Sequence, residues 1–365
     1  MGTQMQSNKE SIDTVLKILK PEILGMSGYT APPQGHVVAK LNQNENPYDL
    51  PEALKEEIFD ALKKMEWSRY PAYDPPGVAQ RLATRFHLTP EQVVLGNGSN
   101  QLLFTVINAV ISKGDPLLIS PPSFSLFELV ARLNQAEIVQ VLRKPDLSYD
   151  SAQMIEAVKR AKLTLISSPC NPTGISMDQA LLKDMLENSA GFILWDEAYG
   201  EFTHENAVGL IKDYPNLLVM RTFSKAMALA GFRIGYLMGN NQVIQEIRKV
   251  NLPYNLNLMS SLLAGKLLDH MDWVEHCVQK IVRDRDQMFE QMNAIPGLQP
   301  YPSRANFILF RVPDGPDVLK RLQEQGVLVR NMGYYPMLDN CLRVNVGTEK
   351  ENKIFLKTIR SVLNK

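Results

Sequence analysis

The stretch LLVMRTFSKAMALAGFRIGYLM, Leu217 to Met238, holds two β-type apolar runs, Leu217 to Thr222 and Arg233 to Met238, around a turn carrying Ser224, Lys225 and Gly231. An amine placed just past a strand, with an arginine eight residues on, suits an aldehyde cofactor that bears a phosphate, as pyridoxal phosphate does. A lysine joins an aldehyde only when unprotonated, and burial beside other cations lowers its pKa toward that state. By itself a Ser-Lys pair recurs by chance, and a plain surface lysine would explain it. The rest of the chain decides the matter.

Working outward, further short β-rich runs fall at Gln92 to Leu95, Pro116 to Ser120, Glu137 to Leu142, Leu163 to Ser168 and Gly191 to Trp195. Between them, Asn100 to Ile111, Ala152 to Ala161 and Asp178 to Asn188 carry apolar residues at helical spacing. Such alternation predicts an α/β domain in which helices cross over onto a mostly parallel sheet, with ligands bound at the strand C-terminal ends. From Asn257 to Met292 the spacing predicts one long helix, stopped by Pro296-Gly297. Beyond it come a strand at Phe307 to Val312, a helix near Asp317 to Gln325, a strand at Val327 to Arg330, another at Leu342 to Val346 and a terminal helix. These predict a smaller α/β lobe.

A chain of 365 residues exceeds what one hydrophobic core usually organises, so two lobes are expected. The expected division is a large domain over residues 41–256, with 1–40 and 257–365 forming an N-terminal arm and the small domain. Lys plus Arg equals Asp plus Glu at 39 each, which gives no electrostatic footprint for nucleic acid or an anionic membrane. No apolar run reaches bilayer length, and the N-terminus MGTQMQSNKE lacks the apolar core of a signal peptide. Cys170, Cys277 and Cys341 are scattered without metal-type spacing, which suits reduced thiols in a cytoplasm and predicts no metal.

The chemical motifs fall at the ends of the predicted strands. GNGSNQLL, Gly96 to Leu103, offers open backbone N–H groups and the Ser99 hydroxyl at a helix start, a seat for phosphate as well as a plain cap. Thr222, Ser224 and Arg233 add donors, and Arg233 can grip two phosphate oxygens. FILWDEAYGEF, Phe192 to Phe202, puts Asp196 at a strand end, where a carboxylate can keep a pyridine nitrogen protonated. Tyr199 and Asn171 could then hydrogen-bond the ring oxygen. Apolar residues before Asp196-Glu197 also mimic the magnesium-binding strand of a nucleotidase, but no GxxxxGK[ST] loop exists in the chain. SSPCNPTG, Ser167 to Gly174, forces a turn that aims Asn171 into the cleft, and Phe124 in PPSFSLF could stack on a flat ring.

Together, LNQNENPY, SRYPAYDP, SPCNPTG, WDEAY, RTFSKAMALAGFRIGY and CLRVNVG resemble the histidinol-phosphate aminotransferases, of the fold-type I pyridoxal phosphate enzymes, in family order from about Tyr29 to the terminal helix. The resemblance implies a seven-stranded, mostly parallel large domain with a smaller C-terminal α/β domain. It makes Lys225 the Schiff-base lysine and proton shuttle, Asp196 the partner of the pyridine nitrogen, and Asn171 and Tyr199 the ligands of the ring oxygen. Phe124 would stack on the ring, while Gly98, Ser99, Asn100, Thr222, Ser224 and Arg233 surround the phosphate. Tyr70 would reach across a homodimer to the neighbour's cofactor phosphate. Arg330 and Arg343 would hold the substrate's anionic end, with Tyr29 and Asn44 as further substrate ligands. The implied substrates are glutamate and histidinol phosphate, in a ping-pong exchange.

Two departures stand out: Cys170 replaces an asparagine frequent before Asn-Pro-Thr-Gly, and Phe124 replaces a frequent tyrosine. The second is compatible with enzymes preferring aromatic amino acids. An aromatic amino-acid aminotransferase, a threonine-phosphate decarboxylase and a non-catalytic pyridoxal phosphate sensor are the alternative readings.

Overall fold

The computed structural model describes residues 12–26, 28, 36–71, 77–203 and 206–364. Tyr29, expected at the substrate, lies outside the described residues. Seven strands form the main sheet: β2 (Val93–Gly96), β3 (Pro116–Ile119), β4 (Glu137–Gln140), β5 (Leu163–Ser167), β6 (Phe192–Asp196), β7 (Leu217–Thr222) and β8 (Gly235–Met238). Their spatial order is β2-β8-β7-β6-β5-β3-β4. β8 runs antiparallel to both neighbours, and the other pairings are parallel.

The strands are apolar almost throughout because both faces of the sheet are covered, as parallel sheets require. Alternation still decides which face each residue feeds. Leu165, Leu194, Leu218 and Met220 pack with Leu102, Val106 and Phe127 from the helices Gly98–Val110 and Ser125–Leu133. Ile166, Ile193, Trp195 and Val219 face the other way, toward Leu182 and Met185 of helix Gln179–Asn188 and Leu263 of helix Leu258–Leu267. Each such fully buried aliphatic side chain contributes about 1.5–3 kcal/mol relative to exposure. The result is a rigid sheet whose ends can hold chemistry.

Register places those ends together. Gly96 pairs with Gly235, which in turn pairs with Thr222, while Ser167 pairs with Asp196. Neither glycine is incidental, since a Cβ on Gly235 would lie 2.4 Å from Ser99 N and one on Gly96 would lie 2.5 Å from Leu102 Cγ. Close packing of β8 against the start of helix Gly98–Val110 therefore needs glycine at both positions.

The second lobe carries a four-stranded antiparallel sheet, in the order Arg330–Asn331 (β12), Cys341–Asn345 (β13), Phe307–Arg311 (β10) and Gln299–Pro300 (β9). Ala39–Lys40 (β1) pairs in parallel with Val327–Leu328 (β11), so the start of the chain is sewn to its end. A separate core around Phe310, Leu342 and Phe355 packs this lobe together, closed by helices Gly315–Glu324 and Glu349–Leu363.

Three expectations from the sequence need correction. The single helix from Asn257 to Met292 is two, Leu258–Leu267 and Met271–Asn293. Its first part packs on the large lobe while its second part runs into the small one, and Asp269 at the break pairs with Arg81 at 3.0 Å. Likewise the strand expected over Val327 to Arg330 divides, because β11 pairs with β1 and β12 pairs with β13. Finally, β8 starts at Gly235, since Arg233 turns the chain at φ 54°.

Candidate active site

A cavity of about 940 Å³ opens where the C-terminal ends of β5, β6 and β7 meet the second lobe. Its lining includes Asn44, Ser99, Asn100, Phe124, Asn171, Asp196, Tyr199, Thr222, Ser224, Lys225, Arg233, Arg330 and Arg343. Residues about 300 positions apart in sequence thus face one space.

At its centre Lys225 is half-buried, and its Nζ donates to the Gln43 backbone carbonyl at 3.0 Å. Burial first, and then the Arg343 guanidinium, lower its pKa to about 8, against the partial opposition of Glu45. Asp196 closes β6 and is buried, with one oxygen accepting from Ala198 N at 3.0 Å. Desolvation pushes its pKa up to about 7. A carboxylate held there without a full set of partners is poised for a cationic ligand. The neighbouring Glu197 is not available for that purpose. It accepts from Trp195 Nε1 at 3.0 Å and is locked to the buried Arg221 at 2.6 Å, so the acidic pair does not act as one metal-binding unit.

Tyr199 follows Asp196 by three residues, and burial pushes its hydroxyl pKa up to about 12. Its ring stands edge-on to Phe307 at 5.2 Å, and its oxygen accepts from Asn44 Nδ2 at 2.9 Å. Asn171, in the turn after β5, accepts through Oδ1 from Arg343 Nη1. Arg343 also donates to the Asn42 carbonyl at 3.1 Å, yet its buried Nε has no partner among the described residues. Phe124 caps helix Ser125–Leu133 and meets Phe127 edge-on at 5.7 Å.

One end of the cavity is an anion cradle. Helix Gly98–Val110 begins without a side-chain cap, leaving its first N–H groups open, and a helix of this length presents a partial positive charge there. Arg233 Nη1 donates to Ser224 Oγ at 3.1 Å, and Thr222 Oγ1 donates to the same oxygen at 3.0 Å. Gly98 does not line the cavity directly but shapes it: at φ 76°, a Cβ on it would lie 2.7 Å from Arg233 Nη2.

Tyr70 stands elsewhere. It is 82% exposed, stacks on Tyr254 at 4.7 Å and does not border its own chain's cavity. Several lining groups were not singled out from the sequence, among them Gln43, Leu126, Leu129, Met332, Tyr334 and Tyr335. Gln43 contributes a main-chain carbonyl that no side-chain pattern reveals. The tyrosine pair did carry a signal, since it follows Arg330 closely in VLVRNMGYY.

Known proteins share this sequence and fold. The chain is 39% identical to a histidinol-phosphate aminotransferase of Prosthecochloris aestuarii, over 94% of this chain and 97% of that one. It is 38% identical to a histidinol-phosphate aminotransferase of Chlorobaculum tepidum, over 94% of this chain and all of that one. In fold it is similar to the crystal structure of the histidinol-phosphate aminotransferase of Clostridium acetobutylicum, with TM-score 0.83 and 24% identity over 89% of this chain and 98% of that one. The same holds for the enzyme of Sinorhizobium meliloti in complex with pyridoxal-5'-phosphate, with TM-score 0.84 and 22% identity over 95% and 97%. Residues 36–359 match the profile of the aminotransferase class I and II family, and the chain belongs to that family.

Proposed function

We propose that this protein transfers an amino group between glutamate and imidazole acetol phosphate, giving histidinol phosphate and 2-oxoglutarate, with pyridoxal phosphate as cofactor. The observation that carries the reading is one cavity holding a lysine of lowered pKa, a buried carboxylate and an anion cradle, with two arginines beside them. Relatives of the same name at 35–39% identity support the substrate class. The structure of an L-threonine-O-3-phosphate decarboxylase from Porphyromonas gingivalis, at 21% identity, is a likeness of fold alone.

The residues fit the cofactor. Its phosphate would sit on the N-terminus of helix Gly98–Val110, held by Ser99, Asn100, Thr222, Ser224 and Arg233, whose guanidinium packs where a Cβ on Gly98 would go. Asp196 would meet the pyridine nitrogen, and that cation would restore the carboxylate to its charged form. Phe124 would cover the ring. When bound, pyridoxal phosphate supplies an aldehyde for amine capture and a ring that withdraws electrons from the substrate Cα.

Lys225 performs the proton work. With a pKa of about 8, about a tenth of its amine is neutral at pH 7, hundreds of times more than for an ordinary lysine. Its neutral amine would take the proton from the substrate Cα and return it at the cofactor's C4′ carbon. Tyr199 donates to the ring oxygen beside Asn171. Arg343 and Arg330 hold the substrate's anionic end, and a guanidinium fork accepts carboxylate or phosphate equally, as two alternating substrates demand.

The reading extends to assembly. Tyr70 would complete the phosphate site of a second copy in a homodimer, which is supported by its exposure and that of Tyr254 stacked on it, and by the exposure of the large apolar side chains of Phe59, Met65, Trp67 and Leu252. It also includes a large lobe of residues 41–256 and a small one of 1–40 and 257–365, supported by the separate core around Phe310 and Phe355, with helix Leu258–Leu267 of the second stretch packed back on the large lobe. A cytoplasmic setting is supported by three buried cysteines without a disulfide and, among the described residues, no helix long and apolar enough to cross a membrane. Single-turnover absorbance rates with a panel of amines test the substrate: histidinol phosphate should lead, and a leading aromatic amino acid, or release of carbon dioxide, would overturn it.

A further inference from the structure

Asn44 adopts φ 55°, a left-handed conformation that asparagine tolerates better than most residues. Two buried asparagines of the second lobe clamp its backbone. Asn345 Oδ1 accepts from Asn44 N at 3.2 Å, and Asn306 Nδ2 donates to Asn44 O at 3.1 Å. So held, the 1%-exposed side chain turns its amide nitrogen to Tyr199 Oη at 2.9 Å, while its own Oδ1 has no partner among the described residues. A phenol oxygen that accepts a hydrogen bond on that side sends its proton elsewhere. Tyr199 borders the cavity, and the cavity is where that proton can go.

We propose that Asn44 is a positioning residue that acts through Tyr199: by donating to the phenol it directs the phenolic proton at the cofactor's ring oxygen. This rests on the pyridoxal phosphate reading of the cavity. A donor aimed at the ring oxygen stabilises its anionic form, which lowers the pH at which cofactor bound at Lys225 gives up its proton. The charged and titratable groups facing Tyr199 are Arg343, Asp196, the Cys170 thiol and Lys225, whose Nζ lies 5.9 Å from the ring centroid. Glu45 and Arg233 also face Lys225. All of them keep their identity when position 44 is substituted, and the Tyr199→Phe background measures what a new charge does to them directly.

Asn44→Asp keeps the shape and the tolerance of positive φ but exchanges the donor for an acceptor, so the phenol would turn its proton to the carboxylate. The measurement is the midpoint of the pH titration of cofactor absorbance, on substrate-free holoenzyme. It is made for the wild type, Asn44→Asp, Tyr199→Phe and the double variant, as a mutant cycle. Asn44→Asp should raise the midpoint by about one unit or more, and in the Tyr199→Phe background it should add nothing. Equal shifts in both backgrounds would mean that the new charge acts directly, and no shift in the wild-type background would mean that Tyr199 already donates to Asn44. Either result overturns the proposal. If Asn44→Asp does not fold, Asn44→Gly, which also accepts φ 55°, takes its place: loss of the donor should raise the midpoint, by less than Asn44→Asp would, and only where Tyr199 is present, whereas an unchanged or lowered midpoint would overturn the proposal. A wild-type protein that shows no cofactor band would overturn the cofactor reading itself, and this inference with it, so the two failures are told apart.

Discussion

Asp196 owes its state to its position: as the last residue of β6 it is backed by a fully packed sheet, and among the described residues only Ala198 N serves its carboxylate. Its pKa of about 7 in the folded chain compares with about 3.9 unfolded. Between those values the folded protein keeps a proton that the unfolded chain has lost, so rising pH favours unfolding through this window. Cofactor-stripped wild-type protein should therefore lose melting temperature from about pH 4 to about pH 7 relative to Asp196→Asn, whose profile lacks this contribution. Parallel profiles would refute the assignment. The same substitution should cut turnover on the order of a hundredfold or more, because a buried charge aimed at the reacting ring is removed. At this scale much was legible: Asp196, Asn171 and Lys225 each follow a β-type run, Arg233 opens one, and all stand among turn-forming residues. What escaped is the hydrogen bonding between them, such as Gln43 O to Lys225 and Asn44 to Tyr199, which joins segments 182 and 155 residues apart.

Among the elements, helix Gly98–Val110 and β8 depend on each other through glycines that the sequence displays but does not explain. Gly98 is held at φ 76° with Arg233 Nη2 where a Cβ would go. Gly98→Ala should displace that guanidinium and weaken cofactor binding about tenfold or more, with about 1 kcal/mol or more of stability lost to the positive φ. Equilibrium titration of the stripped protein with pyridoxal phosphate checks this, and unchanged affinity would contradict it. Periodicity found β5, β6 and β7 because strands buried on both faces read as continuous apolar runs. It missed the break at Asp269 because apolar spacing continues through it, and only the pairing with Arg81 and the divergence of the two lobes decide where the helix ends. Pairing partners, as at β11 and β12, are likewise a tertiary property.

The whole molecule gathers its site from both lobes: Arg343 of β13 reaches Asn171 of the large sheet, and Asn306, just before β10, holds the loop that carries Asn44. That arrangement was legible only as far as motif order, since distance between lobes is not written in any local pattern. If Tyr70 serves the neighbouring copy, hybrid dimers of Lys225→Ala and Tyr70→Ala subunits should regain one intact site. Activity after mixing and subunit exchange should then exceed that of either parent, whereas a mixture no better than its parents would count against a shared site. Everything in the account turns on the amine at position 225. Borohydride reduction of protein loaded with pyridoxal phosphate, followed by peptide mapping, should place one phosphopyridoxyl label per chain on Lys225. A label on another side chain, or none, would contradict it.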